Sequence, residues 1–313
     1  KKLLLLLIFI SCSTTRDENT PKNKSLNYDD LIQLFNDWRN FENPPLLDGA
    51  PNYTKERFDN DQNKFIKLRE RLNSFYIEEW PINKQIDWHI VKAEINGYDF
   101  NYRVLKPWER DPAFYQTIWM YQSDVPAHEG PTNHGVLEFW MYEIPLDKDS
   151  ENRILKELKS ITPFLDQAKK NLIGNAKELW DAGIQNFRDQ IDNLIYIKRT
   201  LNLKEDNKIN VEIDRAISST KSFITWLEKE SKNKTGPSGI GKENYTWYQK
   251  NVHLLPMTWE DEVRLLQREL DRAWSSLKLE EHKNRDLPEL IPANTEKDFK
   301  NLTEDGVRRY VLG

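Results

Sequence analysis

Cysteine is nearly missing: Cys12 is the only one in 313 residues, so no disulfide forms within the chain and the fold must rest on an apolar core. Long hydrophobic runs are also scarce. The longest, Leu3 to Ile10, is far too short to cross a bilayer as a helix. No long block of Lys or Arg occurs either; 46 basic and 51 acidic residues are interspersed, for a net charge of −5. That removes the basic track a nucleic-acid backbone demands, and nucleic acid is not an expected partner. No G-x-S-x-G elbow supports serine catalysis, and no internal repeat stands out.

What is present begins at the N-terminus. Lys1 and Lys2, the apolar run and then Ser11-Cys12 follow the charged, apolar, small-residue order of a secretory signal. Phe9-Ile10-Ser11-Cys12 resembles a lipobox, which implies removal of residues 1–11, acylation of the Cys12 thiol and attachment to a membrane of the bacterial cell envelope, on its periplasmic side or at the surface. An ordinary cleaved signal with an incidental cysteine is the alternative. Residues 12–25 are polar, charged and free of aliphatic side chains, as in a flexible tether. Residues 26–313 form the body.

Proline divides that body. Of fifteen prolines, only Pro163 lies between Pro145 and Pro237, which predicts a loop-rich stretch over 42–149 and a helical one over 150–313. Leu31, Leu34, Phe35 and Trp38 recur at helical spacing, as do Phe65, Leu68, Leu72 and Phe75. Asn96-Gly97 is a turn pair, and Tyr98, Phe100, Tyr102 and Val104 alternate after it with polar residues, as in a short strand or an extended loop. Three helices are predicted between Ser150 and Ser231. Ile154, Leu158 and Ile161 mark the first, bent by Pro163; Trp180, Ile184, Phe187 and Leu194 the second; Ile209, Ile213, Ala216, Phe223 and Leu227 the third. Thr258-Trp259-Glu260-Asp261 has the order of a capping box, and Val263, Leu266, Leu270, Trp274 and Leu277 follow on one helical face. The fold class expected is all-α or mostly α, a large multi-helix body.

Two segments could carry chemistry. Gly236-Pro237-Ser238-Gly239-Ile240-Gly241-Lys242 has the glycine and lysine spacing of a phosphate-binding loop, but Glu243 stands where a hydroxyl would hold magnesium, and the preceding segment reads as helix where strand is needed. Nucleotide is therefore not expected. The remaining readings are a plain connection between helices and a substrate-contacting loop, since the glycines bare the backbone and Tyr245, Trp247 and Tyr248 follow at once. In His128-Glu129-Gly130-Pro131-Thr132-Asn133-His134 the histidines flank a glutamate, the residue types of a zinc hydrolase. They stand six apart, about 240° around a helix, where a shared face needs four. His128, Glu129 and His134 are weak catalytic candidates against the reading of a polar loop.

Three blocks carry a resemblance: GYDFNYRVLKPWERDPAFY from Gly97, QSDVPAHEGP from Gln122, and GPSGIGKENYTWYQKNVHLLPMTWEDEV from Gly236. They are similar to the bacterial domain-of-unknown-function family 885, over a range from Trp38 to the end. That family resembles helical zinc metallopeptidases of the carboxypeptidase Taq type. The resemblance implies a peptidase-like enzyme with zinc in the full-length member and none bound by this chain alone. The family's metal motif, a His-Glu followed by a Pro-Gly-His, is not in this sequence, and His128-Glu129 is not that motif. The expectation is an N-terminal half that supplies cleft walls, with Gly239, Gly241, Lys242, Tyr245 and Tyr248 lining the cleft, a peptide as substrate, and the missing C-terminal half as partner. A half cut through its core should expose a large apolar face. The alternative is a non-catalytic lipoprotein that binds peptide, glycan or a protein partner through an aromatic surface, which Trp108, Trp119 and Trp140 exposed in one groove would favour.

Overall fold

The computed structural model describes residues 27–122, 137–287 and 292–312. The chain is mostly α-helical, and its strands are two residues long each. It divides into two compact units, Lys1–Thr258 and Trp259–Gly313.

The first described helix of this unit is α1 (Tyr28–Glu42), which starts where it does because Asn27 closes a capping box. The Asn27 carboxamide oxygen accepts from the Asp29 and Asp30 N–H groups, and the Asp30 carboxylate accepts from Asn27 N–H at 2.8 Å. That answers donors a helix start otherwise leaves unpaired. A hairpin follows, β1 (Leu46–Leu47) antiparallel to β2 (Ala50–Pro51), turned by Asp48 and Gly49 at φ 53° and 84°. Two successive positive φ values suit the twist of a tight hairpin. Thr54 then caps α2 (Lys55–Asn73) through its hydroxyl.

Next comes α3 (Ile82–Phe100), and here the structure corrects the expected strand or extended loop. Residues 97–100 continue α3, and Asn101–Leu105 follow as a π-helical turn ending at Lys106 with φ 43°. The alternation was genuine but had another cause. The rings of that alternation go to different neighbours: Tyr98 meets Trp38 and Phe41 of α1, whereas Phe100 meets Trp247 and Tyr248 of α8, defined below. A helix covered on two sides imitates the period of a strand. The prolines of this stretch sit at boundaries: Pro81 caps α3, Pro107 starts α4 (Pro107–Arg110) and Pro112 starts a 3-10 turn through Tyr115. Such positions need no backbone N–H, which is why a proline-rich stretch still holds two 19-residue helices. A two-residue parallel pairing joins β3 (Ile118–Trp119) to β4 (Leu137–Glu138).

The three helices predicted after residue 150 are present as α5 (Lys148–Asn171), α6 (Lys177–Leu201) and α7 (Lys208–Ser231), and α5 continues through Pro163. α7 packs along both α5 and α6. Their stripes join the aromatic rings of 108–142 in one cluster, where Tyr115, Phe164, Trp180, Phe187 and Phe223 are all at most 1% exposed. A second cluster gathers Leu31, Leu34, Trp38, Phe65, Leu72, Trp88 and Ile95 from α1, α2 and α3. Each large apolar side chain buried this fully stabilises the fold by about 1.5–3 kcal/mol. The unit closes with α8 (Lys242–Asn251).

The second unit holds α9 (Trp259–Lys283) and α10 (Glu296–Leu312), and neither helix has a buried residue. The apolar stripe predicted for α9 is formed and open to solvent, with Leu266, Leu270 and Trp274 at 65%, 51% and 55% exposure. No described helix is long and apolar enough to cross a membrane.

Candidate functional site

The glycine-rich connection between α7 and α8 is divided in its behaviour. Its first half is docked on the start of α6. Gly236 forms a parallel bridge with Ala176, its carbonyl accepts from Lys177 N–H at 3.1 Å, and a Cβ there would lie 2.5 Å from the Asn175 carbonyl oxygen. Only glycine permits that approach. Two residues on, the Ser238 hydroxyl accepts from Leu179 N–H at 3.2 Å and donates to Glu178 Oε2 at 2.6 Å. Ala176, at the N-cap of α6, offers no side-chain acceptor, so Ser238 caps that helix from a distant point in the chain. The hydroxyl also holds the Glu178 carboxyl below its ordinary range. Arg110 fixes the same residue from another side, donating from Nη2 to the Ser238 carbonyl at 3.0 Å.

The second half is open. A Cβ at Gly239 or Gly241 would meet nothing within 4 Å, and Gly241 holds φ 82°. Gly239, Gly241 and Lys242 are exposed, while Tyr245 and Tyr248 are half-buried. Tyr248 packs on Phe100 with centroids 4.9 Å apart and on His253 at 4.8 Å. Trp247 stacks on Phe100 at 5.5 Å beneath the Arg103 guanidinium. Arg103 and Arg69 both donate to the buried Asp99 carboxylate, at 2.7 and 3.1 Å. The aromatic run after the glycines thus anchors α8 to the end of α3, and the bare backbone lies at the start of α8.

Cys12, His128, Glu129 and His134 lie outside the described residues. Among the described residues no three His, Cys, Asp or Glu side chains gather as metal ligands, so these residues offer no zinc site through which a step could be drawn. The three tryptophans do not share a groove. Trp108 is buried, stacked on Phe58 at 3.8 Å, Trp119 is half-buried and Trp140 is 40% exposed.

Two polar arrangements had no sequence signal beyond residue type. The Tyr142 hydroxyl donates to Glu157 Oε2 at 2.6 Å and accepts from Arg153 Nε at 3.0 Å. Burial pushes both the Tyr142 hydroxyl and the Glu157 carboxyl up. Asp111 caps the 3-10 turn by accepting from Ala113 N–H at 2.9 Å, and burial pushes its carboxyl up to about 6. A pKa there is what a proton-transferring group needs, but the half-buried Asp111 carboxylate is held as the cap of its own turn.

No family model matches the chain, and no curated protein matches it. The resemblance drawn above therefore rests on its residue blocks alone. A solved structure from Shewanella oneidensis, described as "a putative lipoprotein of unknown function", is similar in fold, with 16% identity and a TM-score of 0.52 over 88% of this chain and 50% of that one. This chain thus spans about half the length of the structure it matches. At that identity the likeness shows the fold alone.

Proposed function

We propose that this chain is the lipid-anchored, N-terminal helical part of a bacterial envelope protein of the family 885 kind, and that its body forms the wall of a cleft in which peptides are hydrolysed. The observation that carries the anchor is the order of Lys1-Lys2, apolar run, Ser11-Cys12 and polar tether, followed by a body whose first helix is capped at Asn27. A short lipid-proximal tether ahead of a capped helix is what an anchored domain needs. The fold shared with a protein described as a lipoprotein supports the same reading. Labelling cells with a palmitate analogue tests it. The wild-type chain should take up label and sediment with membranes, and Cys12→Ala should do neither; a labelled Cys12→Ala protein sinks the proposal.

The peptidase reading draws on the Gly236–Val263 block and on the open half of the glycine loop, where exposed backbone at Gly239 and Gly241 stands beside Lys242, Tyr245 and Tyr248. Zinc belongs, in this reading, to the longer family member. Elemental analysis of this chain beside one extended through the downstream reading frame, with both assayed on a peptide mixture, separates the possibilities. Zinc and cleavage in the extended chain alone support cleft walls here and a metal centre elsewhere. Stoichiometric zinc in the short chain, lost on changing His128 or His134, overturns that division. An aromatic groove for glycan or peptide gains no support from the buried Trp108.

A further inference from the structure

A groove of 540 Å³ lies between the last turns of α1 and the middle of α2, away from the glycine loop and within the first unit. That volume falls in the range typical of small-ligand sites, about 300–1,000 Å³. Phe41, Pro45 and Leu68 give it an apolar lining, and Asp37, Asp61, Lys64 and Lys67 give it charge. Counted by sign those four charges cancel, but their partners do not. Asp37 accepts from Arg71 Nη1 at 2.6 Å and from Gln33 Nε2 at 2.9 Å. Asp61 is paired at 2.8 Å with Arg57, whose side chain is 6% exposed. Neither Arg71 nor Arg57 lines the groove, so both carboxylates are answered by cations outside its lining. The lysines are left in excess. Lys64 makes only an exposed 3.1 Å pair with Asp61, its side chain 70% exposed. Lys67 has no ionic or hydrogen-bonding partner among the described residues, and neither does the side-chain amide of the lining Asn40.

We propose that this groove binds the C-terminal end of a peptide, with the free carboxylate on Lys64 and Lys67, the last apolar side chain on Phe41, Pro45 and Leu68, and the Asn40 amide bonding the peptide backbone. The choice of a peptide as the source of the carboxylate rests on the peptide reading above; the excess of cation over an apolar floor does not. Charge complementarity of this exposed kind yields modest affinity and clear specificity for the ionised end.

The probes are an N-acetylated tripeptide ending in Leu, its C-terminal amide, and decanoate, titrated into the whole chain by calorimetry, with amide chemical shifts to locate the site. The free-acid peptide should bind about tenfold more tightly than its amide, shift the resonances of Asn40 and Leu68, and lose that preference in a Lys64→Ala/Lys67→Ala variant. Both lysines are exposed, so the variant should melt with the wild type, and a matching melting curve separates lost binding from lost fold. Equal binding of acid and amide, no binding of either, or shifts confined to other surfaces overturns the proposal. Decanoate binding as tightly as the peptide overturns the peptide assignment. These readouts involve no turnover and no lipid, so failure here leaves the anchor and hydrolysis tests standing, and failure there leaves this one.

Discussion

α7 and α9 are near twins in sequence terms, 24 and 25 residues long, each with one apolar stripe and a charged remainder. α7 buries Ile209, Ile213, Ala216, Phe223, Ile224 and Leu227 between two neighbours, whereas α9 buries nothing. Periodicity therefore states which face of a helix is sticky, and it is silent on whether anything covers that face. The same holds on a smaller scale inside the glycine loop, where Gly236 and Ser238 are committed to α6 and Gly239 and Gly241 are not.

The strongest way to break the contrast is to truncate one side chain in each helix. Phe223→Ala should cost about 3–5 kcal/mol, because a fully enclosed ring leaves a cavity its neighbours fill only in part. Leu270→Ala should stay within about 0.5 kcal/mol, as surface changes do. Urea unfolding of each variant measures both, and a loss above about 1 kcal/mol at Leu270 would mean the α9 stripe is covered in solution.

A second effect sharpens what enclosure does to a charge. Asp111 has a carboxyl raised to about 6 in the fold, against about 3.9 unfolded. The folded state holds that proton more tightly, so the native chain is favoured below pH 4 and loses this advantage as pH climbs towards 6, by up to roughly 3 kcal/mol. Asp111→Asn keeps the acceptor for Ala113 N–H and removes the titration. The variant should match the wild type near pH 4 and exceed its stability at pH 7; urea midpoints at the two values check this, and a variant weaker at pH 7 refutes it.

The smallest contrast divides the loop. Ser238→Ala should cost about 1 kcal/mol, the usual loss when a helix cap is removed. Gly239→Ala meets no neighbouring atom and should change stability by no more than about 0.5 kcal/mol. Thermal melts of the pair decide it: equal effects would deny that the two halves of the loop differ.

What was legible in the sequence was local. The capped or amphipathic segments α1, α6, α7 and α9 followed from spacing, and the mostly α class followed from the scarcity of breakers after residue 150. α3 was misjudged at its end because burial on two faces produces alternation, a signal no local window can separate from a strand. The candidate site shows the same limit. Glycines and aromatics marked Gly236–Tyr248 as special, but the partners that define its parts, Glu178, Leu179, Arg110 and Phe100, lie 59 to 148 residues away along the chain. The α1–α2 groove had no motif at all, since its character depends on which arginines pair with which carboxylates.

The cap that Ser238 places on α6 links two events that would otherwise be separate. Leu179 N–H is held by a hydroxyl of the loop, so the first turn of α6 cannot keep that amide from solvent once the loop lifts away, and the loop loses its seat if that turn frays. In hydrogen-exchange terms the two are one cooperative opening unit. The exposed glycines at the start of α8 are therefore tied to a helix start rather than hung from a slack connection.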